Sequence, residues 1–97
     1  VLTGKQRQYL KGLAHPLSPI VRVGRGGVSE SVVAETKKSL DSHELIKVRI
    51  EVDDSSDRKA LAADLAHAVD AELAGTIGKI AILYKPRAEE PEIQLPE

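Results

Sequence analysis

The sequence predicts an α/β domain: a small mixed four-stranded sheet with three helices, in the order α-β-α-β-α-β-β. Three observations carry this. Apolar stripes at helical spacing alternate with short β-branched runs. The run LIKVRIEV at 45–52 alternates strictly, with Ile46, Val48, Ile50 and Val52 set against Lys47, Arg49 and Glu51. A chain of 97 residues with 41% hydrophobic and 30% charged residues fits one globular domain. Strands with one polar face lead us to expect helices on one side of the sheet only.

The elements follow in order. Thr3 and Gln6 fit a capping box for a first helix, whose apolar face we read as Tyr9, Leu10 and Leu13. His15-Pro16 ends it, because the residue before a proline avoids the helical region. Ile20 to Val23 is a short strand bounded by Pro19 and Gly24. Ser29 is a good N-cap for a second helix that continues through Val33, Thr36, Lys37 and Leu40 to about Asp41. Leu45 to Val52 is the second strand. A third helix is expected from about Asp57 to Glu72, with Gly75 as its stop. Lys79 to Lys85 alternates again, and Leu73 to Ile77 can pair with it across a turn at Gly78. We place the domain at 1–87. Residues 88–97 form an acidic, Pro-rich tail that we expect to be mobile.

Composition removes several classes of function. With no cysteine, the chain has neither disulfides nor thiolate chemistry, which suits a reducing cytoplasm. No apolar run approaches the ~18 residues of a membrane span. The start lacks an apolar signal region, so a cytoplasmic protein is expected, and the missing initiator Met suggests a processed or trimmed form. His15, His43 and His67 lack metal-ligand spacing. Asp53-Asp54-Ser55-Ser56-Asp57 lacks the Gly and closing Glu of a calcium loop and reads as helix capping. No nucleophile, base and orienting group assemble. We expect no enzyme, no cofactor, no metal and no small-molecule substrate.

Net charge is −1, but it is unevenly spread. Residues 1–50 carry nine Lys/Arg and four Asp/Glu, a net +5, whereas 51–97 carry five and eleven, a net −6. Such a split steers an anionic partner to one region. The basic half holds Gly24-Arg25-Gly26-Gly27, between a strand and a helix start. Glycines admit close backbone approach, unpaired first-turn N–H groups attract anions, and Arg25 adds a charged contact. The pattern is neither a P-loop nor GxGxxG. A G-x-x-G can clamp a nucleic-acid backbone; the competing account is an ordinary tight turn. Arg22, Lys47, Arg49, Lys79 and Lys85 are expected on one open sheet face, with Lys11 in the same basic half. Such a surface binds phosphates without reading bases. Tyr9 and Tyr84 are the only aromatics and both are read as core, so stacking platforms are missing. Structured RNA is the expected ligand.

Four blocks in order, KQRQYLKGLAHPL (5–17), VGRGGVSESV (23–32), HELIKVRI (43–50) and GKIAILYKP (78–86), resemble the bacterial YhbY-like proteins. These are stand-alone members of the chloroplast RNA splicing and ribosome maturation (CRM) domain family. The resemblance spans residues 2 to about 87. It implies a fold similar to the C-terminal domain of translation initiation factor three. It also implies RNA binding, association with precursor large ribosomal subunits, and a G-x-x-G loop at Gly24, Arg25, Gly26 and Gly27. Departures are Gly26 where many relatives carry Asn, Lys85 where Arg is common, and the acidic tail. We expect a monomeric RNA-binding assembly factor; the alternative is a protein-interaction module on assembly particles.

Overall fold

The computed structural model describes residues 2–97. It has α1 (Gly4–Ala14), β1 (Val21–Val23), α2 (Glu30–His43), β2 (Leu45–Ile50), α3 (Ser55–Ala68), β3 (Glu72–Ile77) and β4 (Ile80–Tyr84), the expected order. The sheet order is β1-β2-β4-β3. β1 and β2 are parallel, whereas β4 is antiparallel to both β2 and β3. Three strands therefore run one way, and β4 is inserted between two of them. No helix among the described residues is long and apolar enough to cross a membrane.

Local chemistry sets the helix starts. Thr3 and Gln6 form the capping box of α1. Ser29 Oγ accepts from the Val32 N–H at the start of α2. α3 starts two residues earlier than expected, because the Asp54 carboxylate caps it by accepting from the Asp57 N–H. It also stops at Ala68, well before Gly75. The Ala71 N–H donates back to the Ala66 carbonyl while Asp70 takes a φ of +56°, a Schellman ending with Asp in the usual glycine place. Gly75 instead lies inside β3, beside a break in register between Leu73 and Gly75.

Helices cover both sides of the sheet, which corrects the one-sided expectation. On one side, Leu40 of α2 and Ala62, Leu65 and Ala66 of α3 pack on Val21, Val23, Ile46, Val48, Ile50, Ala81 and Leu83. On the other, Leu10 and Ala14 of α1 pack on Leu45, Ala74, Ile82 and Tyr84. β4 is therefore apolar on both faces, as a central strand covered twice must be. The apolar face of α1 is Leu10 and Ala14. Tyr9 and Leu13, expected in the core, are 42% and 38% exposed. Tyr84 is buried as expected, and burial raises its pKa above the usual phenol value.

The tail expected to be mobile follows a docked course. Glu44, fully buried and at a φ of +60°, accepts from the N–H groups of Arg87 (2.8 Å), Glu92 (2.6 Å) and Ile93 (3.1 Å). Gln6 Nε2 donates to the Pro96 carbonyl at 3.0 Å, and Ile93 and Leu95 extend the α1-side core.

Candidate nucleic-acid interface

The glycine segment leaves the end of β1 as a four-residue turn closed by Gly27 N–H donating to Gly24 O at 3.0 Å. The Ser29 N–H then donates to Gly27 O, and the chain enters α2. Two N–H groups near the helix start are thus used internally. Those of Arg25 and Gly26 have no partner among the described residues. Gly24, Arg25 and Gly26 are all exposed. A side-chain carbon built on Gly24 or Gly26 would meet nothing within 4 Å, so the turn stands clear of the body. Gly27 differs: its φ is +69° and it faces Leu61 of α3. Conformation requires glycine there, whereas at Gly24 and Gly26 open space is what glycine provides. Arg25 makes no hydrogen bond or ion pair among the described residues.

Next to this turn lies a basic strip on the α1 side of the sheet. Parallel pairing places Arg22 opposite Arg49, so their side chains share a face. Glu51, two residues beyond Arg49 on the same side, binds both: Arg22 Nη1 is 3.1 Å and Arg49 Nε 3.2 Å from its Oε1. These pairs are exposed and contribute little stability. Their effect is to align two guanidiniums while cancelling part of their charge. Lys47 is on the same face, opposite Ile82, with its ammonium donating to the His15 carbonyl at 3.1 Å. A cation at that helix end suits the dipole, so Lys47 also secures α1. In the same row, Gly75 is opposite Ile82, and the stem of Lys11 crosses directly over Gly75. Lys11 is thereby laid along the sheet from the α1 side.

Lys79 and Lys85 are not part of this strip. Antiparallel pairing sets Lys47 beside Ile82 and Arg49 beside Ile80, so the Lys79–Ala81–Leu83–Lys85 side of the last strand faces the other way. Lys79 pairs with Asp53 at 3.2 Å. Lys85 Nζ donates to the carbonyl of Val69, the C-cap of α3, at 3.1 Å. That is helix-end chemistry. The single basic surface expected from alternation divides into two sides, because β4 is apolar on both faces and alternation alone cannot say which face joins which. Sequence reasoning passed over the bridging role of Glu51. Its parity with Arg49 was visible, but its contact with Arg22 depends on register between β1 and β2.

No cluster of His, Cys, Asp and Glu suited to a metal occurs among the described residues. The geometry offers an exposed backbone turn with one free arginine, and beside it two aligned arginines and two lysines. It can bind phosphates.

Comparison with known proteins agrees with the four sequence blocks. The pattern of the CRS1 / YhbY (CRM) domain matches residues 2–85. A Haemophilus influenzae protein named "RNA-binding protein" is 43% identical over 95 residues, covering 98% of this chain and 95% of that one. A Bacillus subtilis protein named "Probable RNA-binding protein YqeI" is 38% identical over 96 residues, covering 99% and 100%. The solution structure of the hypothetical protein SAV1595 from Staphylococcus aureus superposes with a TM-score of 0.88 at 40% identity, over 99% of this chain and all of that one. The chain belongs to the CRS1 / YhbY (CRM) domain family.

Proposed function

We propose that this protein is an RNA-binding factor of ribosome assembly, acting on precursor large subunits in the cytoplasm as a monomer and without catalysis of its own. The observation that carries the reading is the exposed Gly24–Gly27 turn, with open space at Gly24 and Gly26 and an unpartnered Arg25. Family membership and the names of the relatives support RNA as the ligand. The N–H groups of Arg25 and Gly26 would meet one phosphate, and the Arg25 guanidinium would neutralise it. Arg22, Arg49, Lys47 and Lys11 would continue the contact over the α1 side of the sheet. Residues 1–87 are the binding domain, and the docked tail is an accessory to it. Contacts of this kind position a backbone and carry no base sequence of their own.

The test is a filter-binding titration on large-subunit ribosomal RNA fragments at several salt concentrations. Arg25→Ala is expected to lower affinity and reduce the salt slope by about 0.7–0.9, the share of one phosphate contact. Unchanged affinity and slope would sink the assignment.

Exposed Tyr9 and Leu13, one helical turn apart on α1, favour a second reading, a protein contact on assembly particles. Sedimentation after RNase treatment separates the two. An RNA binder leaves the particle, whereas a protein-held module stays.

A further inference from the structure

An open groove lies where the connector after α1 meets the starts of β1 and β2, with a cavity volume of about 180 Å³. Its walls are aliphatic: Leu17, Ile20, Leu45 and Ile46. Leu17 and Ile20 are 40% and 45% exposed and line the same groove, so their aliphatic surface is open to a ligand. Three polar side chains complete the lining. Ser18 and His43 make no side-chain hydrogen bond among the described residues, and Lys47 brings a positive charge to the rim. The groove and the glycine turn sit at opposite ends of β1. From Ile20 to Gly24 the chain advances about 13 Å. Arg22, its side chain 73% exposed, stands midway.

We propose that this groove holds one unpaired nucleobase of the bound RNA. The inference rests on the RNA-binding reading and adds to it a place where a base, not only backbone, is recognised. A base has two apolar faces and a polar edge. The aliphatic walls suit the faces, and the free hydroxyl of Ser18 and imidazole of His43 suit the edge. A phosphate gains nothing among these walls. A paired base is also excluded, because its faces are stacked on the neighbouring pairs, whereas an unstacked base in a bulge or loop can be splayed out against the walls. Lys47 at the rim, with Arg22 on β1 and Arg25 in the turn beyond it, suits a ligand attached to a polyanion. An RNA backbone following β1 would meet Arg25 at one end and Arg22 midway, with one nucleotide turned into the groove. Aliphatic walls here stand in for the aromatic platforms that a chain with two tyrosines lacks.

The probes are an RNA hairpin carrying a single bulged 2-aminopurine and the same hairpin fully paired. The parent chain is expected to bind the bulged hairpin roughly fivefold or more tightly, as burying the faces of one base would give, with a change in 2-aminopurine fluorescence. Leu17→Asn/Ile20→Asn alters two exposed positions; circular dichroism and a thermal melt check that it folds. This variant should lose the preference and the fluorescence change while binding the paired hairpin as before. His43→Ala should weaken the preference in the same direction. Arg25→Ala should weaken both hairpins equally. A parent chain that binds RNA with no preference for the bulge overturns the groove proposal alone. So does a preference that survives the double substitution. If the double variant keeps its RNA preference but drops out of RNase-treated particles, the groove takes a protein segment and the proposal falls. If the parent binds neither hairpin nor ribosomal RNA, both readings fail together.

Discussion

Single residues divide here between those the fold needs and those it leaves free. Gly27, at a φ of +69°, belongs to the first group. Alanine there should cost about 1–2 kcal/mol, the penalty of the left-handed region, seen as a lower Tm. Gly24→Ala/Gly26→Ala should leave Tm nearly unchanged, since nothing lies within 4 Å of either site, yet weaken RNA binding by obstructing backbone approach. A large loss of Tm in this pair, or full RNA affinity, would refute the division. Glu51 is free in the same sense, because its two ion pairs are exposed. Glu51→Gln should raise RNA affinity at low salt and steepen the salt slope by up to about 0.9, as one more phosphate contact would. The sequence made Arg25 legible through its glycine neighbours. It gave no comparable signal for Glu51, whose role needs two strands in register.

At the level of elements, the chain's own punctuation was readable wherever its chemistry is local. Thr3 with Gln6, and Ser29, cap helix starts as read. α1 does stop at Ala14, next to His15-Pro16, but His15 itself keeps helical angles (φ −48°, ψ −48°). The stop therefore comes from Pro16, which has no N–H to continue the ladder, and not from an extended residue before it. The end of α3 was misread because the left-handed residue of its Schellman ending is Asp70, whereas Gly75, the apparent stop, is a strand residue. Asp70 is exposed, so Asp70→Gly should stabilise the protein by several tenths to about 1 kcal/mol, measured by urea unfolding. A destabilised variant would mean that the Asp side chain contributes more than its φ costs. The face of α1 was also misread. Tyr9, Leu10 and Leu13 share a stripe by spacing, but docking on the sheet buries Leu10 and Ala14. Helical period gives a stripe, and the partner surface decides which edge of it is covered.

Across the whole molecule, Glu44 ties the last residues to the body. Burial pushes its carboxyl pKa up. The N–H groups of Arg87, Glu92 and Ile93, with the nearby Arg87 charge, outweigh that and hold it below the usual carboxylate value. A lowered folded pKa stabilises the protein fully above the unfolded value of about 4.3, and the contribution is lost as pH falls below it through the folded value. Acidification should therefore release the tail, read as lower amide protection factors at Glu92 and Ile93, each exchange rate being taken relative to its intrinsic rate at the same pH. Glu44→Gln should mimic this at neutral pH, costing about 1–3 kcal/mol and exposing residues 88–97 to protease. A tail equally protected in the variant would show that Ile93 and Leu95 hold it without the carboxylate. The sequence by itself determined the element order, most helix caps, the strand alternation and the glycine turn with its arginine, because each depends on neighbours a few residues apart. Only the tertiary structure decided that α1 covers the second face of the sheet, that Lys79 and Lys85 are turned away from Lys47 and Arg49, and that a buried glutamate holds the tail. Those depend on which face of β4 meets which face of β2, and β4, apolar on both, carries no local mark of the choice.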